Sequence, residues 1–281
     1  MSDERATYPP PKHLLRDLRI VVDRVGQDTV ARLEPTPEIA DATGRIRVGV
    51  LATLVDVIAG ETAIRSVLPN WTATSNLAVF VDEIPPSEPV EATARVLRSG
   101  RQTVILEVAL RGARAGGEIG VAQVGFAILP SRNDVQSRGH WAEAPEARTE
   151  FARPDSGFRK PILEAIGFVH DLGDPTISRL PGVPPYLVNS LGALQGGAVA
   201  ILVDAAAEHF AAERLGGSVR VRSLVIQYLN LGRVGPIRAE CRSIARTAGG
   251  LLVHVTLFDE GAGDTLLTVA TIQVDEASRV A

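Results

Sequence analysis

Two aspartates stand where a carboxylate is costly to keep charged. Asp56 lies in VGVLATLVDVIAG and Asp204 in GGAVAILVDAAAEHF, each among aliphatic neighbours. Such surroundings disfavour the ionised form and raise the carboxyl pKa, which makes a stronger base of it. A carboxylate of this kind can deprotonate a water or attack an electrophile directly. Seven residues before each acid is a glycine, Gly49 or Gly197, and further back a polar residue opens a short glycine turn, Asp41–Gly44 or Asn189–Gly192. In the second copy Gly196 precedes Gly197. A backbone N–H at the start of a helix sits at the positive end of its dipole, and glycine lets a reactant come close to it.

The elements that must hold these residues follow from an internal duplication. At a fixed offset of 148 residues, Asp41–Gly60 and Asn189–Glu208 share Gly44/Gly192, Gly49/Gly197, Ala52/Ala200, Leu54/Leu202, Val55/Val203, Asp56/Asp204 and Ala59/Ala207. Later strands repeat at 147, as in Leu77/Leu224, Ala92/Ala239, Arg95/Arg242 and Val108/Val255. A chain of 281 residues has room for two such units, each able to bury a core. The expected division is a first repeat over 15–130, a linker over 131–161 and a second repeat over 162–275. Residues 1–14, with Pro9-Pro10-Pro11, read as a loose arm.

Within each repeat the order is a β-rich hairpin, a long helix, then four strands. LRIVVDRVGQDTVARLEP gives the first hairpin, with Gly26-Gln27-Asp28 at its turn, and GFVHDLGDPTISRLP replays it. The helices are expected over Gly49–Leu68, stopped by Pro69, and over Gly197–Leu215, closed by Gly216-Gly217. Both are apolar on more than one side, so other structure must wrap them. TSNLAVFVDEI, PVEATARVLRSG, TVILEVALRG and GVAQVGFAIL are the strands of the first unit. RVRSLVIQYLNL, PIRAECRSIAR, LLVHVTLFDEG and TLLTVATIQVD are those of the second. With no crossover helices between them, the fold is α+β with antiparallel sheets. The polar, proline-containing stretch from Pro130 to Gly157 reads as the linker, with a helical turn possible over Glu143–Glu150.

Composition narrows the function. A net charge of −4 gives no electrostatic footprint for nucleic acid. The single cysteine, Cys241, excludes an intrachain disulfide framework and, with five scattered histidines, leaves no metal-ligand spacing. The start of the chain lacks a signal-peptide core and no apolar run reaches membrane-spanning length, so a soluble cytoplasmic protein is expected.

Asn189, Gly192, Gln195, Gly196, Gly197 and Asp204, in this order and spacing, resemble the motif of hotdog-fold acyl-CoA thioesterases of the phenylacetate-pathway (PaaI-like) type. The resemblance implies a double hotdog: two tandem antiparallel sheets, each wrapped around a long central helix and set side by side as one continuous sheet. It further implies acyl-CoA as the substrate, with CoA part of that substrate and no separate cofactor, no membrane partner, and a possible homo-oligomer, dimer or trimer. In that family one unit supplies the glycine turn and the other the acid. The implied site therefore joins Asn189, Gln195 and Gly196 to Asp56, with Thr74 where relatives keep a hydroxyl. Its counterpart joins Asp41, Arg47 and Val48 to Asp204, with Val221 at the hydroxyl position, so one working site is expected.

In these terms Gly196 N–H is the donor for the developing oxyanion, Asp56 the base or nucleophile, and Asn189 an orienting amide. Gln195 stands where relatives commonly have histidine and can support but not titrate. The bland readings are a packing turn at Gly196-Gly197, a hydrogen-bonded structural pair at Asp56 and Asp204, a loop cap at Asn189, and a satisfied, partly buried His209. Arg98, Arg101, Arg220 and Arg222 read as solvated strand ends rather than CoA ligands. A non-catalytic acyl-CoA-binding protein is the alternative function. A hotdog hydratase would need a histidine that neither Arg47 nor Gln195 supplies.

Overall fold

The computed structural model of the chain describes residues 8–25, 28–130 and 146–277. Strands β1 (Val21–Val25) and β2 (Asp28–Leu33) form the first hairpin, whose turn at residues 26 and 27 lies outside the described residues. Helix α2 (Val48–Val67) follows, then β3 (Trp71–Val81), β4 (Val90–Ser99), β5 (Thr103–Gly112) and β6 (Glu118–Leu129). The second half repeats the order with β8 (Val169–His170), β9 (Ile177–Leu180), α4 (Gly196–Leu215), β10 (Val219–Tyr228), β11 (Ile237–Thr247), β12 (Gly250–Asp259) and β13 (Thr265–Glu276).

All the strands join one antiparallel sheet in the order β7-β1-β2-β4-β5-β6-β3-β10-β13-β12-β11-β9-β8, where β7 is Glu146–Glu150. The order mirrors itself about the β3–β10 pair, in which Asn76–Phe80 run against Gln227–Ser223. Each helix is buried on nearly every side. Helix α2 lies on β2 to β6 and crosses α4, which lies on β10 to β13. The helices approach closely where glycine permits it. A Cβ on Gly49 would come within 2.7 Å of Ala200 O and Ile201 Cα, and one on Gly197 within 2.4 Å of the Thr53 side chain.

Two expectations change. The arm is not loose from Tyr8 onward. Arg16 is buried, and its guanidinium donates to the carbonyls of Pro9, of Pro10 at 2.7 Å and of Phe151 at 2.9 Å. His13 bonds the Val188 carbonyl at 3.0 Å, and a short helix α1 (Leu14–Asp17) sinks Leu14 and Leu15 into the core. Its repeat is α3 (Ile162–Ile166), unread in the sequence because five residues show no periodicity. Of the linker, residues 131–145 lie outside the described residues. Glu146–Glu150 form an edge strand on β1 in place of a helical turn, with Arg148 bonded to Asp23 and Glu150 at 3.0 and 2.9 Å.

Candidate active site

Asp56 projects from α2 into a cavity of about 450 Å³ that both halves of the chain line. Its two carboxylate oxygens have different partners. Thr74 Oγ1 donates to Oδ1 at 2.7 Å, while Gln195 Nε2 points at Oδ2 from 3.5 Å. Thr74 reaches inward because the β3–β6 register slips between Thr74 and Asn76. Such a bulge re-aims the side chains before it. Burial is the main influence on Asp56 and pushes its carboxyl up to about 6, with the Thr74 hydrogen bond pulling the other way.

Gln195 is buried and serves two structures at once. Its Oε1 accepts from Ala198 N–H at 2.9 Å and caps α4, which fixes the amide so that its nitrogen faces Asp56. Gly196 is the first residue of α4, and first-turn N–H groups have no partner within the helix. A Cβ on Gly196 would stand 2.9 Å from Asp56 Oδ2, so any larger residue would displace the carboxylate. Tyr228 Oη donates to Gly196 O at 3.0 Å and pins the same turn from β10.

Asn189 lines the cavity, but its amide oxygen is bonded within its own loop. Its Oδ1 accepts from Leu191 N–H and Ala193 N–H at 2.9 and 3.2 Å, holding the turn whose Gly192 has φ +70°. Asp41 does the same in the first half, accepting from Thr43 and Arg45 N–H at 2.8 and 3.1 Å with Gly44 at φ +77°. The structure thus joins Asp56, Thr74, Gln195 and Gly196 directly, with Asn189 shaping the loop beside them.

The counterpart interface is built differently. Arg47, at the repeat position of Gln195, is buried and places Nη1 3.3 Å from Asp204 Oδ2 and 2.5 Å from Glu208 Oε2. Burial raises the Asp204 carboxyl well above the usual range, against the pull of Arg47. Glu208 occupies the position of Gly60 and also accepts from Ala42 N–H at 3.1 Å. Its neighbour His209 stacks on His170, ring centroids 4.0 Å apart, and belongs to this interface rather than to the Asp56 cavity. Arg98 and Arg101 are exposed at strand ends; Arg220 bonds the Asp82 carbonyl and Arg222 the Asp82 carboxylate.

Several cavity residues gave no signal in the sequence. Tyr228 sits in an ordinary strand, and Tyr8 and Pro9 in a segment that reads as loose. Arg24 and Glu61, an ion pair at 2.5 Å, line the cavity beyond Asp56. Glu61 follows Asp56 by five residues, about 140° further around the helix, so the spacing gives no hint that the two share a cavity. Among the described residues no three His, Cys, Asp or Glu side chains are placed to hold a metal ion, and no helix is long and apolar enough to cross a membrane.

Comparisons with known proteins agree with this geometry at the level of fold. Residues 44–114, which include Asp56 and Thr74, match the family model of the thioesterase superfamily. The chain is similar to a putative oleoyl thioesterase from Lactobacillus plantarum, with TM-score 0.60, 12% identity and coverage of 90% of this chain and 98% of that one. It is equally similar to the tesB protein of Mycobacterium avium subs paratuberculosis, with TM-score 0.60, 14% identity and coverage of 92% and 96%. A hot dog fold protein from Alicyclobacillus acidocaldarius aligns with TM-score 0.58 at 12% identity, covering 95% and 99%. No curated protein matches the sequence significantly. The large antiparallel sheet with its helices is a hotdog α+β fold.

Proposed function

We propose that this hotdog-fold chain, similar to thioesterases in its first half by sequence and throughout by fold, is a double-hotdog acyl-CoA thioesterase. It would hydrolyse an acyl-CoA to the free acid and CoA at the interface of its two repeats. The observation that carries this reading is the Asp56 carboxylate of one repeat lying against Gly196, at the N-terminus of the other repeat's helix. A base and an oxyanion donor on facing helices are what attack on a thioester carbonyl requires.

In the proposed cycle the thioester carbonyl oxygen meets Gly196 N–H, whose dipole and fixed direction favour the negative charge that develops there. Asp56 either takes a proton from the attacking water or attacks the carbonyl carbon itself, forming a mixed anhydride that water then opens. Thr74 and Gln195 hold the carboxylate in either route. After a single turnover in ¹⁸O-water, label in the Asp56 carboxylate marks the anhydride route with water attacking the Asp56 carbon; where label is only in the acid product, trapping of the anhydride by hydroxylamine separates the routes. Arg47, filling the other interface against Asp204 and Glu208, supports one working site per chain.

The direct test is release of free CoA from a panel of acyl-CoAs by the purified protein. Asp56→Asn keeps the shape and removes the base, and kcat should fall by about 10²–10⁴-fold. Full activity in Asp56→Asn, or no turnover of any acyl-CoA by wild type, overturns the assignment. Thermal stabilisation by acyl-CoA without turnover would instead favour the non-catalytic binding protein, a reading that the Gln195 substitution motivates.

A further inference from the structure

The cavity has two unlike ends. One reaches Asn230 and Leu231, both exposed. The other runs along α2, where Asp56, Val57, Gly60, Glu61 and Ile64 make a broad face with Asp56 and Glu61 at its two edges, past buried Leu15 and Phe126. With a large, charged nucleotide-bearing thiol held at the Asn230–Leu231 end, the acyl group lies along α2 toward Arg24, a side that exposed Tyr8 and Glu150 also border. Toward that end stands Arg24, 2% exposed, whose Nε lies 2.5 Å from Glu61 and whose Nη2 donates to Thr149 at 3.2 Å. Glu61 stands five positions after Asp56 on the helix, a rise of about 7.5 Å.

We propose that the Arg24–Glu61 pair is a specificity site that selects short acyl chains ending in a neutral donor–acceptor group, such as a hydroxyl, over saturated chains of the same length. A hydroxyl can donate to the Glu61 carboxylate and accept from the Arg24 guanidinium together. A terminal methyl would meet desolvated charge and satisfy neither. A terminal carboxylate would have to share Arg24 with Glu61, a like charge already paired to it. The duplication does not account for the pair, because the repeat positions at the same offset hold Leu172, which is fully exposed, and His209. As a stabilising device a buried ion pair is weak compared with apolar residues of similar volume.

This inference rests on the thioesterase reading for which end holds the acyl group. The test compares hexanoyl-CoA, its ω-hydroxy derivative and its ω-carboxy derivative with the full chain. The ω-hydroxy substrate should lead in kcat/KM by about 10–100-fold. In the double variant Arg24→Met with Glu61→Leu the order should invert in favour of hexanoyl-CoA, and Glu61→Gln, which keeps the shape should the double variant fail to fold, should reduce the preference. Equal or better rates on hexanoyl-CoA or the ω-carboxy substrate by wild type overturn the inference and leave the thioesterase reading standing. If none of the three is hydrolysed, the thioesterase reading is decided by the wider acyl-CoA panel. Thermal stabilisation then decides for the pocket: stronger stabilisation by the ω-hydroxy compound than by hexanoyl-CoA supports the site, and equal stabilisation removes it.

Discussion

At Asp56, stability and reactivity pull in opposite directions. Burial raises its carboxyl from the usual 3.8 to about 6. The folded protein therefore binds a proton more tightly than the unfolded chain, and stability falls as pH rises from about 4 to about 6, then levels. The charged carboxylate costs on the order of 3 kcal/mol at neutral pH. Asp56→Asn should recover much of this in denaturant unfolding at pH 7 and little at pH 4. In wild type, kcat/KM should rise with pH to a plateau above about 6, and a flat profile over pH 5–8 would remove Asp56 as the base. That Asp56 would be a perturbed acid was legible from its aliphatic neighbours alone. The double duty of Gln195 was not, because the amide direction depends on Ala198 N–H and on a carboxylate 139 residues away.

Among the elements, the helix crossing is the least tolerant of change. Gly49 and Gly197 meet at equivalent points, and at each the added Cβ would strike a neighbour on the facing helix. Gly197→Ala should cost about 1–3 kcal/mol through overpacking against Thr53, and the second change Thr53→Ser should restore only part of the loss, since it removes the methyl at 2.4 Å and leaves Oγ1 and Cβ at 2.6 and 2.7 Å. Additivity of the two in denaturant unfolding would mean that the helices do not touch there. The long helices, their ends and the eight main strands were readable from apolar runs and from Gly and Pro punctuation. Strand β7, helices α1 and α3 and the bulge after Thr74 were not. Each is short, or depends on pairing with a distant strand, and local sequence carries no sign of that.

For the whole molecule, the Arg47 interface tests how far the halves have parted. Arg47→Met would leave Asp204 and Glu208 buried without their cation, a loss of about 3–5 kcal/mol in denaturant unfolding at neutral pH. The loss should shrink on acidification, since removing the cation lets the carboxyls protonate more readily and a neutral acid needs no partner. An unchanged midpoint would show the ion pair to be idle. The duplication was legible because whole motifs recur at one offset. It did not reveal that Arg47 would fill its own interface, since Glu208 comes into play only when α2 and α4 are crossed.

The seam between β3 and β10 has a further meaning. Two identical chains meeting about a twofold axis must present the same surface twice, so any substitution appears on both sides of the interface at once. Here the two sides of the seam are encoded separately. A residue can change beside one acid and leave the other untouched, and Gln195 with Arg47 is such a divergence. Joining the halves into one polypeptide released them from symmetry, so that one interface is free to be selected for chemistry and the other for cohesion.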